Sequence, residues 1–361
     1  MPRVVGIDPG TVSIELCGLD DGRVFLDHSW PTAEALADPA RFIARLEAAG
    51  PLDLVAGPSG YGLPLTRARD ASEEDLILAF LAAPGETGGI GGLRALVRAL
   101  AASALPVVLT PGVVHLHTVP AHRKVNRVDM GTADKVCATA LAIVEHARRF
   151  GRPLAKVSLV LVELGGAFTA AVAVADGRIV DGVGGTSGPL GFRAAGALDG
   201  EVAYLAGAVS KAQLFRGGAV AVAGWDEADS SPDRFAHSTT PEADDAREAL
   251  VESAVKAALA LAASVPSPKE FVLSGRLARV EAVGHAVRQR LGLFAPTRLL
   301  EGFASKAKEG AQGAALIADG LAGGPNRELV ERLAIREARG TVLDHLYVIS
   351  REQARHRLGL S

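Results

Sequence analysis

Two short segments of the sequence place an acidic residue and a glycine at the same distance from an Asp-Gly pair. Asp8 is followed by Gly10 and, 13 residues after Asp8, by an Asp-Gly pair; Glu163 is followed by Gly165 and, again after 13 residues, by an Asp-Gly pair. Glycine lets backbone N–H groups approach a phosphate closely, and carboxylates hold Mg²⁺, usually through water. Two such segments facing one cleft would hold a polyphosphate between them.

A second candidate region is the charged segment between residues 117 and 135. Phosphoryl transfer requires alignment, Mg²⁺ and positive charge around the transferred group. Arg127 could bind a carboxylate or brace the transition state, and His122 could donate a hydrogen bond to the phosphoryl group. Asp134 is the candidate base if the acceptor is an alcohol. The plainer alternatives are a solvated charge cluster and, for Asp134, capping of a helix.

Histidines in the same region raise the alternative of a transition-metal site. His115 and His117 would face the same side if they lie on a strand, and His122 follows closely. Imidazoles can bind Zn²⁺ or iron. No cysteine or glutamate accompanies them, so the sequence favours phosphate chemistry over a bound transition metal here.

The surrounding patterns predict the elements that would position these residues. Both acidic segments have the order strand, tight turn, strand and Asp-Gly hairpin turn. Hairpins recur in any sheet, so two unrelated hairpins are one interpretation, but the matched spacing favours an internal duplication. Further apolar patterns predict a layered α/β domain, with helices over residues 38–50 and 91–104 and strands over residues 52–57 and 105–112.

Two long helices are expected later in the chain. Thr132 stands where an N-cap residue belongs, before an apolar stripe and a basic last turn. Gly310 and Gly313 lie on another predicted helix and would let a neighbouring backbone approach one face closely. Residues 343–360 are expected to form a terminal helix.

Composition limits the classes of protein to consider. The 361 residues favour two domains, and 48% hydrophobic residues supply a sizeable core. A net charge of −3 without long charge runs argues against nucleic acid as a partner. Cys17 and Cys137 both lie in apolar segments, which argues against disulfides or a cysteine cluster and favours the cytoplasm. We see neither a signal-peptide pattern nor an apolar run of about 18 residues, so no membrane association is expected.

The motifs together resemble those of the actin, sugar-kinase and acetate-kinase superfamily. GIDPGT resembles its first phosphate motif, ELGGAFT its second and VLSGRLA its adenosine motif, while the helices starting at DMGTADK and AKEGAQGAAL resemble its inter-domain helices. The resemblance implies an α/β fold with two RNase H-like (actin-like ATPase) domains flanking a nucleotide cleft. It divides the chain into an N-terminal domain, a connecting helix, a nucleotide-binding domain and a C-terminal helical segment, at residues 1–130, 131–156, 157–325 and 326–361.

The resemblance also implies roles for individual residues. Asp8 and Glu163 would hold Mg²⁺, and Asp8, His122, Arg127 and Asp134 would be catalytic. ATP would be held by the glycine-rich loops and the adenosine motif, through Gly10, Thr11, Gly165, Gly166, Thr169, Ser274, Gly275, Arg276, Gly310 and Gly313.

Three longer stretches narrow the expected function. GPSGYGLPLT, PGVVHLHTVPAHRKVNRVDMGTADK and AQGAALIADGLAGG resemble a poorly characterised family of predicted butyrate kinases. An ATP-dependent, Mg²⁺-requiring kinase that converts a small carboxylate into an acyl phosphate is therefore expected. Such a carboxylate is already ionised near pH 7, so cationic side chains matter more than a base. Relatives in the superfamily often form homodimers, although no feature here marks an interface.

Other functions within the superfamily remain open. A sugar or alcohol kinase is the nearest. A nucleotide-dependent regulatory switch is another, because Glu163 stands where Asp is frequent and Ala167 and Phe168 fill positions that are often polar. An activator of a radical enzyme or dehydratase is disfavoured, because those proteins use paired cysteines to hold a cluster between subunits.

Overall fold

The protein contains two mixed β-sheets, each covered by helices. The computed structural model describes residues 2–10, 12–83, 91–226, 230–265, 267 and 270–360. The first sheet consists of β1 (Arg3–Pro9), β2 (Ser13–Asp20), β3 (Arg23–Pro31), β4 (Leu54–Pro58), β5 (Thr66–Arg67) and β6 (Val107–Thr110). The second consists of β7 (Leu159–Leu164), β8 (Thr169–Ala175), β9 (Arg178–Val183), β10 (Glu270–Ser274) and β11 (Thr297–Leu299).

The two sheets have the same topology. The first has the strand order β3-β2-β1-β4-β6-β5 and the second, read from its other edge, has the order β9-β8-β7-β10-β11. In each sheet the first three strands in sequence form an antiparallel meander, and two later strands extend it in parallel, β4 and β6 in the first sheet and β10 and β11 in the second. Apart from the short β5, each half therefore repeats the other.

The hairpins repeat in detail. Asp21 and Asp176 both begin their turns with φ of 51°, and the glycines that follow have φ of 71° and 72°. Two successive left-handed residues are typical of a tight two-residue hairpin whose twist matches its strands. The strand register also shifts just after Gly18 in one hairpin and just after Ala173 in the other, three residues before each turn. The predicted repeat of strand, tight turn, strand and Asp-Gly hairpin turn is therefore present in both sheets.

Helices cover both faces of each sheet. The shorter helices are α1 (Thr32–Ala37), α2 (Pro39–Glu47), α3 (Glu73–Phe80), α5 (Ala121–Lys124), α7 (Gly200–Ala206), α8 (Ala219–Val222), α9 (Pro232–His237), α13 (Arg327–Leu333) and α14 (Arg351–Arg357). The longer ones are α4 (Gly91–Ala102), α6 (Ala133–Phe150), α10 (Pro241–Ala262), α11 (Glu281–Leu291) and α12 (Glu309–Leu321). No helix among the described residues is both long enough and apolar enough to cross a membrane.

Helix α6 forms where its sequence pattern predicts. Thr132 occupies the N-cap position, although its hydroxyl donates to Asp134 rather than accepting from the backbone. Gly151 ends the helix in the left-handed conformation with φ of 58°, a common way to terminate a helix. Most of its apolar residues are buried, so α6 lies in the interior between the two sheets.

Helix α12 packs against the first sheet although it follows the second in sequence. It contacts β1, β2, β4 and α6. A Cβ atom at Gly313 would lie 1.7 Å from the carbonyl oxygen of Cys137 in α6, so glycine permits this close helix contact. The predicted nucleotide-binding domain, residues 157–325, thus includes a helix that completes the core of the other half.

The terminal helix is shorter than the sequence predicts. Helix α14 covers only Arg351–Arg357, and it begins at a capping box formed by Ser350 and Gln353. The preceding residues are held in another conformation, because the Asn126 side chain accepts hydrogen bonds from the backbone of Tyr347 and Val348. These contacts replace the helical hydrogen bonds that a helix over residues 343–360 would need.

Candidate active site

A cavity of about 500 Å³ lies between the two halves. It is bounded by the carboxyl ends of β1 and β7 and by the first turns of α6 and α12. The residues predicted for the site that line it are Asp8, Gly10, Asp134, Glu163, Gly165, Gly166, Gly275, Arg276 and Gly310. The structure therefore brings most of the predicted site together.

The two predicted phosphate loops have the same geometry. The Gly10 N–H donates to Ser13 O at 3.0 Å, and the Gly165 N–H donates to Phe168 O at 2.9 Å. A Cβ atom at Gly10 would lie 2.8 Å from Ser13 O, and a Cβ atom at Gly165 would lie 2.7 Å from Phe168 O. Glycine is thus required at both turns by close backbone approach. Thr11, also predicted for this site, lies outside the described residues.

A lysine that the sequence analysis did not single out lies at the centre of the acidic residues. Lys135 Nζ donates to Asp134 Oδ2 at 2.5 Å and to Glu163 Oε1 at 2.6 Å. Removal from water alone would lower the pKa of Lys135, but these two carboxylates raise it above its ordinary value. Lys135 is therefore a permanent cation that joins the start of α6 to the end of β7.

The carboxylates respond to this environment in different ways. Burial alone would raise the pKa of Asp134, but the Lys135 ammonium holds it below its usual range. Burial raises the pKa of Glu163. Burial, together with the negative charge of Asp134, raises the pKa of Asp8 from 3.8 to about 7. Asp8 lies against α12, where a Cβ atom at Gly310 would be 2.5 Å from its Oδ2.

A second lysine contacts the first hairpin. Lys308, just before α12, places its Nζ 2.9 Å from Glu15 Oε1 and 2.7 Å from Ser13 Oγ. Glu15 is the cross-strand partner of Asp8, is 1% exposed, and its Oε2 has no hydrogen-bond partner among the described residues. Strand alternation around Asp8 could have indicated Glu15, whereas no local signal indicates Lys308.

The donor set suits Mg²⁺ better than a transition metal. The acidic side chains that line the cavity outnumber the basic ones: Asp8, Glu15, Asp129, Asp134, Glu163 and Glu309 against Lys135, Arg276, Lys306 and Lys308. In the described part of the chain, no three His, Cys, Asp or Glu side chains converge as a ready-made metal cage. Mg²⁺ normally keeps several waters and uses only one or two carboxylates. Asp8 and Glu163 fit such a hydrated ion.

The histidine-rich region does not form the arrangement that a transition metal would need. His115 ends a short 3₁₀ turn, Val113–His115, instead of lying on a strand. It is buried, its Nδ1 lies 3.2 Å from Gly340 O, and burial lowers its pKa. His117 and His122 are exposed. The expectation that alternate histidines share one strand face is wrong because the backbone turns there.

Apart from Lys135, the basic residues of the charged segment do not line the cavity. His122 and Arg127 are exposed and are not part of its lining. Arg127 donates to Ser187 O at 3.1 Å, and the buried Lys124 donates to Leu116 O at 2.9 Å. The structure thus does not bring these groups to the reacting region, and the catalytic roles of His122 and Arg127 stay predictions.

One acid of this loop joins the two halves. Asp129 is buried, and its Oδ2 accepts from both the N–H and the hydroxyl of Thr186, each at 2.9 Å. Burial raises the pKa of Asp129. This contact fixes the start of α6 against the loop that follows β9, so we regard Asp129 as a positioning residue.

Of the remaining residues predicted to bind the nucleotide, some line the cavity and others do not. Gly275, with φ of +87°, lines the cavity, and Arg276 lies exposed at its rim. Ser274, Thr169 and Gly313 are outside the lining. Ser274 and Thr169 are buried in their strands. Gly313 serves the contact between α6 and α12.

The other part of the cavity is apolar. It lies on the α4 side of the first sheet, beyond the ends of β1 and β4. Its lining comes from the sheet, α3 and α4: Ile7, Gly57, Phe80, Leu93, Leu96, Val97, Leu100, Val107 and Leu109. The sequence analysis did not predict this region.

Solved structures share this architecture at low sequence identity. A propionate kinase from Francisella tularensis subsp. tularensis SCHU S4 superposes with a TM-score of 0.61 at 12% identity, over 87% of this chain and 98% of its own. An acetate kinase from Porphyromonas gingivalis gives the same values. An acetate kinase from Entamoeba histolytica has a TM-score of 0.56 at 11% identity, over 81% of this chain and 86% of its own. The predicted two-domain, actin-like fold is confirmed.

Sequence comparison gives a family without an assigned activity. No curated protein matches the sequence. One family profile, described as "Protein of unknown function (DUF1464)", matches residues 6–348. Because that match spans nearly the whole chain, the protein belongs to this family.

Proposed function

We propose that the protein is an ATP-dependent, Mg²⁺-requiring phosphotransferase that converts a small carboxylate into an acyl phosphate. The observation that carries this proposal is the pair of equivalent glycine turns, at Gly10 and Gly165, on opposite sides of one cavity. Each turn follows a strand whose penultimate residue is a carboxylate, Asp8 or Glu163. Similarity in fold to propionate and acetate kinases supports the same chemistry.

The residues of the site have separate tasks in this reaction. A carboxylate oxygen of the acceptor forms a bond to the γ-phosphorus, and the bond from that phosphorus to the β-phosphate oxygen breaks, its electron pair leaving with ADP. The Gly10 and Gly165 N–H groups already donate within their turns, so the other backbone N–H groups of the two turns would bind phosphate oxygens. Lys308 supplies positive charge beside the first turn. Mg²⁺, held by Asp8 and Glu163, would neutralise phosphate charge.

The environment of Asp134 favours a carboxylate acceptor. An alcohol must lose a proton on attack, which calls for a base with a pKa near the working pH. Both Asp134 oxygens are already engaged, by Thr132 and Lys135, and its pKa is depressed. An ionised carboxylate needs no such base. The apolar half of the cavity also suits a hydrocarbon tail better than a polyol.

A sugar or alcohol kinase is the second candidate. Asp8 lines the cavity, and its burial raises its pKa to about 7, which suits a base at that position. If Asp8 accepts a proton from an alcohol, polyols should be phosphorylated faster than carboxylates.

The test is a panel of acceptors with purified protein, ATP and Mg²⁺. Hydroxylamine should trap an acyl group with straight-chain carboxylates, while glucose and glycerol should not stimulate ADP release. Asp8→Asn should abolish turnover. Asp21→Asn is the matched control, because Asp21 lies in an exposed turn whose φ of 51° asparagine adopts readily. ATP binding without turnover of any acceptor would indicate a nucleotide switch instead.

A further inference from the structure

The apolar part of the cavity has a hollow at one position of the first sheet. Gly57 in β4 pairs with Leu109 in β6, and the residues before Ile7 and Gly57 pair with each other between β1 and β4. In parallel strands, paired residues lie on the same face. Ile7, Gly57 and Leu109 therefore form one row across three strands, and the middle member has no side chain.

Neither backbone conformation nor crowding requires glycine at this position. Gly57 is absent from the described glycines with positive φ. Among the described residues other than its chain neighbours, a Cβ atom there would have one heavy atom within 4 Å, Ile7 Cβ at 3.9 Å, which is an ordinary van der Waals contact. In a well-packed core such a position normally carries a side chain that fills the space.

The hollow is continuous with the phosphate site. Ile7 and Asp8 are neighbours in β1, so their side chains lie on opposite faces of the sheet. The cavity passes from one face to the other around the strand ends, where Pro9, Gly10 and Gly60 line it. The carboxyl ends of parallel strands are a common place for ligands in open α/β sheets.

We propose that this hollow binds the hydrocarbon tail of the acceptor carboxylate and that Gly57 determines the length of chain accepted. The inference rests on the proposed function, which it makes more specific. The opposite wall is α4, whose residues Leu96 and Leu100 both line the cavity. Leu96 and Leu100 are four residues apart, so they are separated by about 6 Å along the axis of α4. A wall of this length suits an unbranched acyl chain of about four to six carbons rather than acetate.

The chemistry of the walls supports this class of ligand. The side chains around the hollow, Ile7, Phe80, Leu96, Val97 and Leu109, carry no hydrogen-bonding groups and are almost fully buried. A sugar would leave its hydroxyl groups without partners there, which costs free energy. A methylene chain gains about 0.8 kcal/mol for each buried CH₂ group.

Gly57→Val and Gly57→Ala, which fill the hollow in two steps, test the inference. The ratio of kcat/KM for hexanoate to that for acetate should fall at least tenfold in Gly57→Val, with Gly57→Ala intermediate. Gly200→Val is the matched control, because a Cβ atom at exposed Gly200 would meet no described residue within 4 Å other than its chain neighbours and its own helix. If Gly57→Val does not fold, as judged by its melting temperature, Gly57→Ala decides.

A binding measurement separates this inference from the proposed function. Calorimetric titration of hexanoate without ATP should give a Kd that rises at least tenfold in Gly57→Val. One possible result is that the unaltered protein binds hexanoate and Gly57→Val does not, while no turnover is detected. That result would support the tail site and contradict the proposed kinase activity. The tail site would be contradicted if Gly57→Val turns over carboxylates with an unchanged ratio of kcat/KM values and an unchanged Kd for hexanoate. It would also be contradicted if the unaltered protein binds no carboxylate.

Discussion

The Lys135 ammonium lies 2.6 Å from Glu163 Oε1, so a cation at the start of α6 meets a carboxylate at the end of β7. The Lys135 side chain is only 14% exposed. Removing one member of a buried ion pair costs more than the pair itself contributes, because the partner is left uncompensated. Lys135→Met should therefore lower the free energy of unfolding by about 3 kcal/mol, measured by urea denaturation.

The same variant has a second readout. Because Mg²⁺ can partly replace the lost positive charge, it should raise the melting temperature of Lys135→Met more than that of the unaltered protein. Adding Glu163→Gln to Lys135→Met should recover part of the lost stability. If the loss of unfolding free energy in the double variant equals the sum of the losses in the two single variants, Lys135 and Glu163 are not coupled.

The stability difference between Asp8→Asn and the unaltered protein should depend on pH. The pKa of Asp8 is raised to about 7, against 3.8 in an unfolded chain. The stability contributed by the neutral carboxyl is fully present below about pH 4 and is lost as pH rises through about 7. We compare the two melting temperatures in EDTA. The melting temperature of Asp8→Asn minus that of the unaltered protein should increase by at least about 3 °C from pH 5 to pH 8. A pH-independent difference would contradict the raised pKa.

Lys308 should matter for catalysis. Because its ammonium lies beside the first glycine turn, Lys308→Met should lower kcat/KM for ATP about 10- to 100-fold. Lys256→Met, on the exposed surface of α10, serves as the control. Equal steady-state kinetics of the two variants would exclude Lys308 from phosphate binding.

The contact between α6 and α12 should not tolerate a methyl group. A Cβ atom at Gly313 would lie 1.7 Å from Cys137 O, so Gly313→Ala must separate the helices, and we expect a loss of about 2 to 3 kcal/mol. Gly200→Ala lies in the first turn of α7, where the added methyl group would contact none of the described residues outside that turn, and it should be neutral or slightly stabilising. Thermal unfolding of the two variants makes the comparison.

The duplicated hairpins were predictable because their signals are local. Asp8 and Glu163, the glycines two residues later and the Asp-Gly turns all lie within one hairpin each, and the backbone requirements of a tight turn are read directly from residue type. The start of α6 after Thr132 was predictable for the same reason.

Other parts of the site depend on contacts between distant segments. Lys135 meets Glu163 only when α6 and β7 pack, and Lys308 reaches Glu15 across most of the chain length. The density of basic residues around His122 suggested a phosphate-binding loop, but a single turn of helix α5 directs Lys124 inward and leaves His122 exposed. The periodicity of α4 predicts a buried face without revealing that the space opposite Gly57 is left open.

The position of α12 also bears on how the chain folds during synthesis. The first sheet lacks α12 until residues 309–321 have left the ribosome, long after β6 has been made. Nascent chains usually complete their N-terminal domain first. Here the apolar face formed by β1, β2 and β4 stays without α12 until the strands of the second sheet have been synthesised.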